Sequence, residues 1–225
     1  MFDWEKIDTV FLDMDGTLLN LSFDNYFWLD YVPLAFSRKR KIDLIEAKAI
    51  CAEKFQKISG KLDWYSIDYW TAELDLNIEY LQASQSSKIS VLPNVVNFLD
   101  LLKLAKKKRV LVTNAHQISI SLKMKKTKLN ERLDLAVCSH DIGLAKEDPM
   151  FWEKFHQIEP YEADKILFID DNLDVLNAAK AQGIENLLAI SQPDLNRPVR
   201  KIDNFKSIKG FSELIPSLED HIAKT

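Results

Sequence analysis

The sequence predicts a doubly wound parallel α/β sheet with an inserted helical domain, and three observations carry that prediction. Short apolar stretches at residues 7–12, 109–113, 133–138, 165–169 and 186–190 lack the strict polar alternation of half-exposed strands and read as strands covered on both faces. Between most of them lie segments with apolar residues three and four apart, the β-α-β rhythm of a parallel sheet with right-handed crossovers. Residues 23–85 break the rhythm, because their apolar spacing is helical throughout and aromatics concentrate there.

The elements follow in order. The first strand, residues 7–12, ends abruptly in Asp13-Met14-Asp15-Gly16-Thr17. The insertion then begins with Phe23, Phe27, Tyr31 and Leu34 on one helical face, and Gly60 and residues 84–88 are its joints. This places the core at residues 1–20 and 88–225 and the helical domain at 21–87. Pro93 suits the first turn of a helix striped by Val95, Phe98, Leu99 and Leu102. The strand 109–113 runs into Thr113-Asn114-Ala115-His116, and a helix over 117–129 follows. After the strand 133–138, a loop over 139–148 carries Lys146, and Pro149 opens a helix to about residue 158. The strand 165–169 stops at Asp170-Asp171-Asn172; the helix 173–182 ends on Gly183, a good left-handed terminator. A strand at 186–190 and a helix over 211–221 complete the chain.

Composition narrows the function. With 225 residues, 47% hydrophobic and 28% charged, the chain can bury a substantial core. A formal net charge of -4 gives no footprint for a nucleic acid polymer or an anionic membrane. The basic clusters at 106–109 and 123–128 read as solvated helix ends and faces. The start of the sequence lacks a secretory leader pattern, no window is apolar enough to span a bilayer, and the only cysteines, Cys51 and Cys138, have no metal-ligand spacing. The expectation is a cytoplasmic protein with two small buried thiols. Its oligomeric state is left open.

Chemistry concentrates at strand ends, where parallel sheets bind ligands. Asp13 and Asp15, two residues apart on an extended chain, project to the same side. Two such carboxylates repel, so a hard divalent ion such as magnesium is their natural partner. Thr113, Lys146 and the pair Asp170 and Asp171 each follow a later strand and converge on the same edge. Taken singly, Thr113 reads as a helix cap, Lys146 as a loop lysine and the aspartates as a helix N-terminus. Taken together, they make a site for a doubly charged phosphate monoester. Lys146 supplies a compact cation, Thr113 and nearby backbone N–H groups, including those around Asn114, supply donors, and the carboxylates supply metal ligands. His116, in a first helical turn, is left out of catalysis.

Those four motifs, in that order, resemble the haloacid dehalogenase-like (HAD) hydrolases. The resemblance implies a Rossmann-like core in which Asp13 is the nucleophile and Asp15 the general acid and base, with magnesium held by Asp13, the backbone carbonyl of Asp15, and Asp170 or Asp171. It also implies that the helical insertion is a cap that selects the leaving group. Dehalogenases of the superfamily lack the second aspartate, so Asp15 favours phosphoryl chemistry.

The cap segments at 23–28 and 62–70 mix polar side chains with large aromatics, most of which form the cap's own core. Together with the core motifs they resemble the bacterial GMP/IMP 5'-nucleotidases, which implies a purine nucleoside monophosphate as substrate. Trp28 is then a candidate for stacking on the base, and Asp24, Asn25 and Asp68 for accepting hydrogen bonds from its edge. A sugar-phosphate phosphatase or phosphomutase shares every core residue. A binding module without turnover needs no acid beside a nucleophile.

Overall fold

The computed structural model describes residues 2–224. Six strands, β1 (Thr9–Leu12), β2 (Lys108–Thr113), β3 (Leu135–Cys138), β4 (Ile166–Asp170), β5 (Asn186–Ile190) and β6 (Lys206–Ile208), form one sheet in the order β3-β2-β1-β4-β5-β6. Every pairing is parallel. The continuous apolar runs have a simple cause. Val10, Leu12, Leu111, Leu167 and Ile169 enter one hydrophobic cluster, whereas Phe11, Val110, Val112 and Phe168 enter a second. Alternate residues therefore face two cores, and neither face can be polar.

Between β1 and β2 the chain is helical: α1 (Ser22–Tyr26), a π-helical turn (Phe27–Tyr31), α2 (Val32–Arg40), α3 (Leu44–Ile58), α4 (Ile67–Leu74) and α5 (Ile78–Ser84). Local chemistry sets their starts, since the side chains of Asp43, Ser66 and Asn77 accept hydrogen bonds from the backbone N–H groups of Ile45, Tyr69 and Tyr80. Phe27, Phe55 and Trp70 are buried at the centre, with Phe55 and Trp70 edge-to-face at 4.8 Å. This apolar interior is continuous with the cluster on one face of the sheet.

The remaining helices are α6 (Val95–Leu104), α7 (Gln117–Thr127), α8 (Ser139–Ile142), α9 (Pro149–Ile158), α10 (Leu173–Ala181) and α11 (Ile215–Ile222). Three features depart from the sequence reading. Pro93 lies outside α6, whose N-cap is Asn94 in the left-handed conformation at φ 65°. The expected loop at 139–148 opens with the short α8, stopped by Gly143 at φ 79°. The edge strand β6 was not predicted, because its three residues bury only Ile208. Cys51 and Cys138 are both free and buried. No helix among the described residues is long and apolar enough to cross a membrane.

Candidate active site

β1 and β4 are neighbours at the point where strand order reverses, and Asp13 follows the last residue of β1. Open parallel sheets bind ligands in the crevice at such a reversal. The chain beyond Asp13 doubles back at once: Leu18 and Leu19 donate to the Met14 carbonyl, and Gly16 N donates to the Leu19 carbonyl. Gly16 sits at φ 90°, and a Cβ there would lie 2.6 Å from Cγ of Asp171. Glycine is thus required twice, by backbone conformation and by the closeness of a carboxylate. Gly16→Ala should cost about 2–3 kcal/mol in urea unfolding, from left-handed strain and displacement of Asp171. Wild-type stability for that variant would show that the turn relaxes freely.

Strands β1, β2 and β4 and the segment after β3 bring the expected groups together. Lys146 is 2% exposed, and its ammonium donates to Asp13 Oδ1 at 2.5 Å, Asp170 Oδ2 at 2.7 Å and the Val112 carbonyl at 3.0 Å, using all three protons. Burial alone would lower its pKa, but Asp13 and Asp170 outweigh that and hold it above the usual lysine value. Its backbone is fixed as well, through Lys146 N to Asn114 Oδ1 at 2.8 Å and Trp152 Nε1 to the Lys146 carbonyl at 3.0 Å. Thr113 Oγ1 accepts from Ala115 N at 3.1 Å, leaving its own proton free to donate.

The acidic groups exceed the cation. Burial raises the pKa of Asp13 well above the carboxylate range, Lys146 opposes the rise, and Asp170 and Asp171 add to it. Asp170 is raised for the same first reason. Asp171 is pushed up to about 7 by burial and by Asp170, against Arg200. Each of Asp13, Asp170 and Asp171 offers an oxygen within 4.8 Å of the others. An all-oxygen, net-negative cluster that burial disfavours fits a hard divalent cation such as magnesium. The side chain of Asp15 stands apart from this cluster.

Asp15 instead meets Lys123 of α7. The Lys123 ammonium lies 2.7 Å from Asp15 Oδ1 and 2.7 Å from Asp24 Oδ1 of α1. The contact with Asp24 is a hydrogen bond, whereas Asp15 Oδ1 makes an ion pair without hydrogen-bond geometry. Lys123 is only 2% exposed, which corrects its assignment to a solvated helix face. Burial would lower its pKa, but Asp15 and Asp24 together raise it. Burial and the charge of Asp15, offset in part by Lys123, push Asp24 up to about 6.

A second polar hub was also missed. Glu147 accepts from Tyr65 OH at 2.6 Å, Asn114 Nδ2 at 2.8 Å and Asn172 Nδ2 at 3.2 Å, joining the helical insertion to loops after β2 and β4. Burial and Glu147 raise the pKa of the Tyr65 phenol, so it remains a donor.

A cavity of about 670 Å³ opens above these groups, with Asp24, Asn25, Trp28, Trp64 and Tyr65 among the insertion residues lining it. Asn25 is tied down, its Nδ2 donating to Asp194 Oδ2 at 2.7 Å. Asp68 does not line the cavity, contrary to its candidacy for base contact. Ser66 caps α4 so that Ile67 and Trp70 turn inward and Asp68 outward, with its side chain 78% exposed. Its carboxylate lies 3.5 Å from His116 Nε2. His116 lines the cavity and caps α7, with its Nδ1 accepting from Ile118 N.

Residues 7–183 match the haloacid dehalogenase-like hydrolase family. The GMP/IMP nucleotidase YrfG of Escherichia coli K12 is 35% identical over 215 residues, covering 96% of this chain and 97% of that protein; the Shigella flexneri protein of the same name matches equally. Among solved structures, a HAD phosphatase from Thermococcus onnurineus superposes with a TM-score of 0.80 at 24% identity, over 94% of this chain and 98% of that one. A putative beta-phosphoglucomutase from Thermotoga maritima gives 0.67 at 16% identity, over 95% and 99%. At those identities the two structures establish the fold.

Proposed function

The chain belongs to the haloacid dehalogenase-like hydrolase family, and from that premise we propose that it is a magnesium-dependent phosphatase acting on purine nucleoside 5'-monophosphates such as GMP and IMP. The observation that carries the reading is the convergence of Asp13, Thr113, Asp170 and Asp171 from the ends of β1, β2 and β4, and of Lys146 from the segment after α8, on one cavity.

Asp13 attacks phosphorus as its bond to the ester oxygen breaks, and Asp15 gives a proton to that leaving oxygen. Asp15 then takes a proton from the water that cleaves the aspartyl-phosphate, which restores Asp13 and releases inorganic phosphate. Lys146, the free proton of Thr113 and the backbone N–H groups around Asn114 bind the phosphoryl oxygens, and the Asn114 side chain fixes the Lys146 backbone. Asp13, Asp170 and Asp171 would hold magnesium, to which the family resemblance adds the Asp15 carbonyl; bound there, the ion neutralises phosphoryl charge.

Residues 21–87 serve as a cap that excludes water and chooses the leaving group. A cavity of about 670 Å³ suits a mononucleotide, and the Trp28 ring on its wall suits stacking on a base. The 35% identical relatives named GMP/IMP nucleotidase support the purine assignment. Asp24 and Asn25 contribute to base recognition through whatever hydrogen-bonding capacity their partners Lys123 and Asp194 leave. Two free, buried thiols accord with work in a reducing cytoplasm.

The test is phosphate release, with and without magnesium, from GMP, IMP, AMP, pyrimidine nucleotides and sugar phosphates at one enzyme concentration. The expected result is metal-dependent release that is greatest on GMP and IMP. A maximum on a sugar phosphate would overturn the purine reading and leave the core chemistry standing, whereas release from nothing would remove the phosphatase reading itself.

A further inference from the structure

We infer that Lys123 is a positioning residue for Asp15, holding one carboxylate oxygen so that the other faces the scissile ester, with Asp24 of the helical insertion anchoring the lysine. The inference rests on the acid role of Asp15 given above. Among the described residues, only two lysines are buried as deeply as 2% exposure, Lys146 and Lys123. The first is engaged by the nucleophile and the acidic cluster. The second lines the same cavity, with its ammonium 2.7 Å from Asp15.

Three observations point to orientation as its purpose. Desolvating an ammonium is costly, so a lysine is retained in such a place only with close anionic partners, here Asp15 and Asp24. The ammonium also lies 5.5 Å from the centre of the Phe23 ring, which leaves it little freedom to move. Finally, Asp15 Oδ1 is buried, and the contact that the structure gives that oxygen is the Lys123 ammonium at 2.7 Å. Because Asp24 belongs to α1, the lysine is anchored from the helical insertion as well as from its own helix in the core.

Leaving groups separate this role from a purely structural one. kcat/KM reports binding and phosphoryl transfer to Asp13 but not hydrolysis of the phosphoenzyme, and only a poor leaving group needs a proton at the transfer step. Asp15→Asn, Lys123→Met and the double variant K123M/D24N would be compared on two esters without a base, ribose 5-phosphate, which keeps the leaving alkoxide of a nucleotide, and p-nitrophenyl phosphate. The double variant removes one cation and one anion together, so the net charge of the buried cluster is unchanged if the single variant fails to fold. The expected result is a fall of about 100-fold or more on ribose 5-phosphate and less than about tenfold on the aryl ester, for Asp15→Asn and both Lys123 variants alike. Equal falls on both substrates in the Lys123 variants, or no fall, while Asp15→Asn discriminates, would overturn the inference alone. Failure of Asp15→Asn to discriminate would overturn the acid role beneath it.

Discussion

Asp13→Asn should reduce phosphate release by a factor on the order of 10⁴ or more while leaving the fold intact. An amide is not a competent nucleophile toward phosphorus, so the covalent route is lost, not slowed. The substitution keeps the size of the side chain and a carbonyl oxygen where Lys146 now donates at 2.5 Å. It also removes one of three mutually repelling carboxylates, and burial already disfavours the Asp13 anion in the metal-free protein. Thermal unfolding without magnesium should therefore occur at the wild-type temperature or above it. Phosphate release within tenfold of wild type would take Asp13 out of the nucleophile role; a large fall in stability would mean that the Asp13 charge is needed to balance Lys146.

The two expected outcomes, an inactive and an undamaged variant, separate chemistry from architecture, and the sequence divides in a similar way. Strands buried on both faces announce themselves as unbroken apolar runs, which is why β1, β2, β4 and β5 were legible and β6, with one inward residue, was not. Asp13, Thr113 and Asp170 were legible because each ends or follows a strand, and strand direction carries them to one edge of the sheet, which Lys146 reaches from the segment after β3 and α8. Lys123 was hidden by its company. Lys125, Lys126 and Lys128 share its segment and are not buried, and no helical pattern marks a buried cation among exposed ones. One signal did exist: Ser119 and Lys123 lie four residues apart on the inward face of α7, beside Met124. Glu147 escaped for another reason, since its partners Tyr65, Asn114 and Asn172 are distant in sequence and meet only after the insertion packs on the core. Asp68 misled because its aromatic neighbours suggested a pocket, whereas the Ser66 cap fixes the phase of α4 and turns that carboxylate outward.

Lys146→Met carries the largest expected loss of stability. Methionine retains most of the apolar stem, but the ammonium facing the Phe168 ring is lost, and Asp13 and Asp170 lose the cation that contacts both. Removing one partner from a buried ion network costs about 3–5 kcal/mol, because the remaining charges stay in a poorly solvated place. Urea unfolding of the metal-free variant should show a loss of that order, together with a fall in turnover of about 10²–10³-fold from the missing phosphoryl contact. Magnesium makes the prediction sharper. If Asp13, Asp170 and Asp171 hold a divalent ion, that ion supplies charge to the same carboxylates, and it should stabilise Lys146→Met more than it stabilises the wild type, where Lys146 already does so in part. Titrating both proteins with magnesium and following their unfolding midpoints measures that difference directly. Equal shifts would mean that the ion and the lysine act on separate groups, and the assignment of the acidic cluster as the metal site would fall.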